Sequence, residues 1–475
     1  MAIAPTAQDL AAPNEEAQSP QSSLPWPSEK AGFYALFCII FATFLNFFDL
    51  AVFGMLAERM KKSFEISDTM LGFVQGPASV IAYVIVGIPL ARLVDLFPRK
   101  YVLSGGIALI GTITALGGLA QSFGQFVGSR LFVGASGAAN GPGSYSLLVD
   151  YFRPLRIPLV FALLQLGFIL GQSLGTWGGG HLLAWTDTWA PQTNFMGLTV
   201  FSWQWIMVMA GLPGLLAALM FLLVKEPPRR SPPSAASIVP PGASFGRRFA
   251  LLMGWDAAKE IWKRKGVFLP LFAALALSAV ESQGLPPWRV PFIARTYGWK
   301  EVEIANLLGP LLLVAMLSGI AAGGAFISWM GKRYKDANIR ATTIIFACTT
   351  TVTIAGPLMP TAELAIGCMV LGTFFGLAGA PAQNAAVQRI VPNHMRGQVT
   401  ALYLFMFTFF GAMGSFVIGG VSDFVVGDPA KIWQALLITA IIFLPTATFF
   451  MWRGIRPYRE EVERIEAAEA AAKAA

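Results

Sequence analysis

The sequence predicts an all-α polytopic membrane protein with twelve transmembrane helices, and two observations lead to that prediction. Of 475 residues, 55% are hydrophobic and only 13% are charged, whereas soluble domains carry about a quarter of their residues as Asp, Glu, Lys and Arg. Long stretches also contain no charge at all, and a helix needs about 20 apolar residues to cross a bilayer. With only two His and three Cys in the chain, neither a metal centre nor another cofactor is expected.

Charge-free runs define nine of the predicted helices. They cover residues 69–91, 101–129, 157–186, 188–224, 304–331, 341–362, 364–388, 397–422 and 432–452. Three further apolar segments each contain a single charged residue: roughly 33–56 with Asp49, 124–148 with Arg130, and 267–288 with Glu281. Each of these segments is long enough for one crossing, which brings the total to twelve.

Polar segments divide the helices into two sets of six. Residues 1–30 are rich in Ala, Pro, Gln and Ser and lack the basic patch of a signal peptide, so we expect a disordered cytoplasmic tail. A polar linker at 225–266 separates an N-terminal bundle at 31–224 from a C-terminal bundle at 267–452. Residues 453–475 are rich in Glu and Ala without a long apolar stripe, which predicts a solvated cytoplasmic tail.

The distribution of basic residues predicts the orientation in the membrane. With the N-terminus placed inside, 26 of the 34 Lys and Arg residues fall on the inner side, seven, among them Arg289, fall in outer loops, and Arg130 lies within a helix. Positively charged loops stay in the cytoplasm, so both termini are predicted to be cytoplasmic in a cell membrane. Basic loops beside anionic lipid also account for the net charge of +8 without a nucleic-acid partner.

The two sets of helices carry signs of an internal repeat. Asp49 and Glu281 are 232 residues apart, and the basic pairs at 99–100 and 332–333 are 233 apart. Two six-helix repeats with both termini on one side must be parallel, related by an axis along the membrane normal.

A short motif follows the second predicted helix. Small residues at Gly87 and Ala91 precede Asp95 and the basic pair Arg99-Lys100. This pattern resembles the signature of the major facilitator superfamily. Small residues let helices approach closely, and an acid and a base can pair across a cytoplasmic gate. The resemblance therefore assigns to this gate the residues Gly87, Ala91, Asp95, Arg99, Lys100, Lys332 and Arg333.

Within that superfamily the chain most resembles the spinster-like branch. The resemblance rests on the motif at 46–49, on the spacing from Ser129-Arg130 to Asp150, and on residues 391–398. It implies the major facilitator fold and a monomeric secondary transporter that moves a small organic or amphipathic solute, anionic or lysolipid-like, by alternating access. Leu50 and Gly137 replace an Arg and a Glu that the family uses in proton coupling.

Three charged residues lie well inside predicted helices. Asp49 and Arg130 each lie seven residues, about 10 Å, below the same predicted surface, so they share a depth and can pair. One hypothesis is that Asp49 carries a proton while Arg130 holds either Asp49 or an anionic group; the alternative is a purely structural pair. Glu281 occupies the repeat-related place and is either a second site of proton or ion coupling or a gate residue.

Polar residues inside helices favour hydrogen bonding between helices, and they are also candidates for a substrate cavity. The candidates are Asn46, Gln165, Gln172, Gln383, Asn384 and Tyr403. Besides a proton-coupled transporter, the sequence leaves open a passive facilitator and a non-transporting sensor on the same scaffold. A membrane-embedded lipid-modifying enzyme is disfavoured, because the two His leave little material for a catalytic constellation.

Overall fold

A computed structural model describes residues 25–137, 140–195, 197–230, 259, 261–391 and 396–474. Most of the predicted N-terminal tail and residues 231–258 of the predicted linker therefore lie outside the described residues. The described chain is almost entirely helical.

The described residues of the first half form nine α-helices and one hairpin. The helices are α1 (Glu29–Met55), α2 (Ala57–Phe64), α3 (Asp68–Gln75), α4 (Pro77–Leu96), α5 (Arg99–Gly117), α6 (Phe123–Gly137), α7 (Asn140–Tyr151), α8 (Ile157–Trp189) and α9 (Ser202–Leu222). Between α8 and α9 lies an antiparallel hairpin of β1 (Gln192–Phe195) and β2 (Leu198–Phe201), in which Thr193 pairs with Val200. The hairpin was not predicted, because the run at 188–224 has no charge to separate it from the helix that follows.

In the second half, the part of the chain that the structure describes forms seven α-helices. They are α10 (Lys265–Gly284), α11 (Arg289–Tyr297), α12 (Glu301–Gly331), α13 (Ala337–Ala355), α14 (Ala362–Arg389), α15 (Arg396–Val421) and α16 (Ile432–Ala474). A π-helical turn at Ser422–Val426 extends α15.

Among the described residues, ten helical segments are long and apolar enough to cross a membrane. The predicted helix at 69–91 is divided at Gly76 into α3 and α4. The predicted helix at 124–148 consists of α6 and α7, on either side of residues 138 and 139, which are not described. The count of twelve helices and the cytoplasmic placement of the termini therefore stay predictions.

The two halves meet mainly along α8 and α12 and along α3 and α15. A Cβ atom on Gly180 of α8 would lie 2.3 Å from Cβ of Ala305 on α12, so only glycine allows this approach of the two helices. We call the end of the bundle where α1 begins the terminal face, and the end where α1 finishes the opposite face.

The predicted C-terminal tail continues α16 as one helix. Its first turns are docked on the second half, because Tyr458 and Val462 are buried in the cluster that contains Phe268 and Phe272 of α10. An ion pair of 3.0 Å between Arg264 and Glu461 supports the same contact. This part of the segment is therefore a packed helix and not a fully solvated tail.

Candidate functional site

A cavity of about 1130 Å³ lies between the two halves. Its wall is mainly apolar and is contributed by helices of both halves. The charged residues that line it are Asp49, Glu281 and Arg289; other titratable groups in the wall are Tyr83, Tyr145 and Cys368. Tyr145 lies six residues from the end of α7, so the cavity reaches to about 9 Å from the terminal face.

At the opposite face, buried ion pairs join the halves. Asp68 at the start of α3 is 0% exposed and accepts hydrogen bonds of 2.8 and 2.9 Å from Arg295 of α11. Arg295 also donates to Glu58 at 2.7 Å, and Lys61 donates to Asp68 at 2.6 Å. Ser422 adds a bond of 2.7 Å to Asp68. Burial by itself raises the pKa of Asp68, but the cations and hydrogen bonds together lower it by a larger amount. The pKa of Asp68 therefore lies below its ordinary value.

Further contacts close the same face. Arg59 pairs with Glu301 of the second half at 3.1 Å and with Asp187 at 3.2 Å. Asp423 accepts hydrogen bonds from the backbone N–H of Thr69 at 2.7 Å and from its hydroxyl at 2.6 Å, and thereby caps α3 from across the interface. The cavity is therefore sealed at this face by polar contacts between the halves.

The terminal face is organised differently. Each ion pair there whose two residues are both described joins residues of the same half. In the first half Arg99 pairs with Asp150 and Glu226, and in the second half Asp336 pairs with Arg340 and Arg459. Among the described residues, the ion pairs therefore brace each half individually at the terminal face and join the two halves at the opposite face.

Asp49 and Arg130 are brought together from α1 and α6. Nη1 of Arg130 lies 3.2 Å from Oδ2 of Asp49. The Arg130 side chain is 5% exposed and lies against the rings of Phe53 and Phe126, with centroids 5.1 and 5.3 Å from its guanidinium carbon. Asp49 is 14% exposed and lines the cavity. Within the described chain, Oδ1 of Asp49 and Nε and Nη2 of Arg130 have no hydrogen-bond partner, so the pair is joined by one bond only.

Glu281 on α10 is 3% exposed and lines the cavity. Among the described residues, neither carboxylate oxygen has a well-formed hydrogen bond and no cation lies at ion-pair distance. The neighbouring hydroxyl of Thr439 donates to the carbonyls of Ala435 and Leu436 of its own helix. Glu281 is thus a buried acid without a counter-ion in the described part of the chain.

Arg289 is a charged cavity residue that the sequence interpretation missed. The sequence predicts that Arg289 lies in an outer loop, because it follows Pro286-Pro287 at the end of a charge-poor run. In the structure it begins α11, is only 8% exposed and lines the cavity, and its Nη2 donates to the Thr373 hydroxyl at 2.8 Å. The expectation of a loop position was wrong, because a short 3-10 turn at Pro286–Trp288 leads directly into another helix. The one available signal was the sequence Trp288-Arg289, an arginine beside a bulky apolar residue.

A sequence model of the Major Facilitator Superfamily matches residues 39–415. The chain belongs to the major facilitator superfamily. It is accordingly a multi-pass integral protein of the cell membrane, and its relatives act in membrane transport of small molecules.

Two curated superfamily proteins illustrate the relationship. An MFS-type efflux pump of Mycolicibacterium smegmatis is 26% identical over 422 residues, covering 88% of this chain and 91% of that protein. Protein spinster of Drosophila melanogaster is 22% identical over 413 residues, covering 83% of this chain and 62% of that protein. The similarity to spinster supports the placement in the spinster-like branch that the motifs indicate.

Solved structures show the same fold. A bacterial homologue of the human lysosomal transporter spinster, in an inward-facing and unoccupied conformation, aligns with a TM-score of 0.76 at 22% identity, covering 92% of this chain and 99% of that one. A D-xylose-proton symporter aligns with a TM-score of 0.61 at 16% identity, covering 87% and 98% of the two chains.

In this superfamily member, five of the six polar candidates line the cavity. They are Asn46, Gln165, Gln172, Gln383 and Asn384. Tyr403 does not; it is buried beside Phe272 and Phe407 in the core of the second half. The described residues contain no group of three or more His, Cys, Asp or Glu placed to hold a metal ion.

The superfamily gate motif extends over α4 and the start of α5. Gly87, Ala91 and Asp95 lie on α4. Arg99 is buried, with 2.5 Å to Asp150 and 2.8 Å to Glu226.

The neighbours of Arg99 in the gate motif are more accessible. The backbone N–H of Lys100 donates to Glu226 at 3.1 Å. The repeat counterparts Lys332 and Arg333 are exposed, and Arg333 lies over the ring of Trp329. The two basic pairs are therefore not equivalent: the first is braced within its half and the second faces outward.

Proposed function

We propose that the protein is a secondary active transporter that moves a small amphipathic organic solute by alternating access, coupled to protons through Asp49 and Glu281. The observation that carries the proposal is the cavity between the halves, which contains titratable acids and is sealed by inter-half ion pairs at one face. Rocking of the halves about such a cavity exposes it to each side of the membrane in turn.

The Asp49–Arg130 pair supports a proton-dependent step. Asp49 reaches the cavity, whereas Arg130 lies behind it against two aromatic rings. Protonation of Asp49 would remove the anion that neutralises Arg130, and a buried cation without a partner is costly. Proton binding at Asp49 would therefore change the charge seen by the solute and the stability of the contact between α1 and α6.

Glu281 supports a second proton site. Burial of a carboxyl group without a cationic partner favours its neutral form. A cavity that opens to water at one face would let this group exchange its proton there. The mainly apolar wall with a few amides fits a solute that has both an apolar body and a polar group.

The test is uptake into proteoliposomes with and without a pH gradient. Thermal-shift screening of metabolites and lysolipids first identifies a solute that stabilises the purified protein. We expect a pH gradient to accelerate uptake by the wild type and to have no effect on Asp49→Asn. The control variant Glu65→Gln removes an exposed carboxylate outside the cavity and should keep the gradient response.

Three other outcomes contradict parts of the proposal. Full gradient dependence in Asp49→Asn would show that Asp49 carries no coupled proton. Uptake by the wild type at a rate that does not depend on the pH gradient would identify a passive facilitator. A solute that binds without any flux would identify a sensor.

A further inference from the structure

We infer that Arg289 binds the acidic group of the transported solute, which makes the substrate an amphipathic organic anion, either a carboxylate or a phosphate monoester. The inference rests on the proposed transport function and specifies the ligand and the residue that receives it.

The guanidinium of Arg289 is held in place but left incompletely bonded. Its Nη2 donates to Oγ1 of Thr373, and that hydroxyl donates in turn to the carbonyl of Met369 at 2.9 Å. The Thr373 oxygen is thereby fixed as an acceptor for Arg289. The buried Nε has no acceptor among the described residues, and no hydrogen bond from Nη1 is formed within the same part of the chain. A buried guanidinium with unfilled donors is costly unless a ligand supplies the missing acceptors.

No described carboxylate neutralises Arg289. Arg130, the other arginine near the cavity, has Asp49 at 3.2 Å. Glu281 also lines the cavity, but it forms no ion pair with Arg289 or with any other described cation. The positive charge of Arg289 is therefore left for an anion that enters the cavity, and a carboxylate or phosphate matches the planar fork of donors on guanidinium.

An apolar face of α12 lines the same cavity as Arg289. Leu308, Leu312, Met316 and Ile320 follow one another at intervals of four residues, and all four line the cavity. Residues at this spacing share one face of a helix, and from 308 to 320 the face extends for about 18 Å. Since α12 begins at the opposite face and α11 carries Arg295 of the seal at that face, an acidic group at Arg289 would lie near the sealed end with its apolar body directed towards the terminal face.

The experiment measures binding to the purified full-length protein by calorimetry, with four probes that share one apolar body. These are phenylhexanoate, phenylhexyl phosphate, the neutral phenylhexanol and the cationic phenylhexylammonium. The variants are Arg289→Gln, Arg289→Lys and the control Arg453→Gln, which removes an exposed cation on α16 away from the cavity.

The wild type and Arg453→Gln should bind one of the two anions at least about tenfold more tightly than phenylhexanol, as expected for a charge-assisted contact. Arg289→Gln should lose this preference. Arg289→Lys, which keeps the charge but not the fork of donors, should bind the anion more weakly than the wild type and still prefer it to the alcohol. The anion that binds identifies carboxylate or phosphate as the acidic group.

The inference is overturned if neither anion is preferred by the wild type, or if Arg289→Gln keeps the preference. If Arg289→Gln does not fold, the lysine variant decides, because unchanged anion affinity in Arg289→Lys contradicts a fork-shaped contact. Flux measurements separate the two proposals. Anion binding that depends on Arg289 but is not accompanied by flux would support the binding site and refute transport. Anion flux that persists in Arg289→Gln would refute the binding site and support transport.

Discussion

Replacing Asp68 by Asn should release the opposite face of the bundle. Opening this face breaks the two bonds from Arg295 and the bond from Ser422, whereas Lys61 lies in the same half as Asp68 and stays with it. Breaking a buried ion pair costs about 3–5 kcal/mol, and Arg295 keeps its bond to Glu58, so the net weakening should be close to the lower limit. A change of about 3 kcal/mol corresponds to roughly a 150-fold shift in the ratio of closed to open molecules.

Distances between spin labels can measure this shift. After removal of the three native cysteines, labels are attached to exposed positions 62 and 430, one in each half at the opposite face. Asp68→Asn should transfer population from a short to a longer distance, whereas Glu65→Gln, which removes an exposed carboxylate from the same face, should not. An unchanged distance distribution in Asp68→Asn would refute the view that this ion pair seals the cavity.

The sign of the pH dependence follows from the depressed pKa of Asp68. A carboxyl whose pKa is lower in the closed arrangement stabilises that arrangement fully above its pKa in the open arrangement. The stabilisation is lost only as the pH falls through the depressed value. The wild-type distance distribution should therefore be the same at neutral and at mildly acidic pH, and an opening between these conditions would assign control of this face to another group.

Two further predictions concern packing at the two faces. A Cβ on Gly72 would lie 2.3 Å from a backbone oxygen of α15, so Gly72→Ala should lengthen the distance between the labels at positions 62 and 430. The control Gly420→Ala, with no atom within 4 Å of the new Cβ, should leave this distance unchanged. Asp336→Asn weakens the ion pair with Arg459 that holds α16 in place. This variant should have a lower melting temperature and faster proteolysis of the C-terminal segment. Glu460→Gln, which removes an exposed ion pair, should change neither the melting temperature nor the rate of proteolysis.

The position of a residue along its predicted helix was enough to predict that Asp49 and Arg130 lie at the same depth in the membrane. Asp49 and Arg130 lie the same distance from the outer ends of their apolar segments, and in the structure their side chains are 3.2 Å apart. Five of the six polar candidates line the cavity, whereas the sequence left open whether they line a cavity or form hydrogen bonds between helices. Tyr403 differs because its ring is mostly apolar and packs equally well in the core.

The position of Arg289 was beyond this kind of reasoning. Charge-free runs locate helix ends by treating each charge as a boundary, so a buried arginine next to a proline pair is read as a loop. The docking of the C-terminal segment was missed for a related reason, since Tyr458 and Val462 form too short an apolar face to stand out between charged residues. Both errors involve contacts between segments that are far apart in the sequence, Arg289 with Thr373 and Tyr458 with the core around Phe268, and such contacts leave no local pattern.

The short helix α11 connects the proposed substrate site to the seal. Arg289 at its first residue lines the cavity, and Arg295, six residues later, binds Asp68 across the interface. The two arginines are about 9 Å apart along the helix axis, so a shift of α11 that improves the contact of Arg289 with an anion must also move Arg295. A ligand changes a conformational equilibrium only through its differential affinity for the two states. Because one short helix carries both arginines, anion binding at Arg289 would be linked to the Arg295–Asp68 ion pair, which must break before the cavity can open at the opposite face.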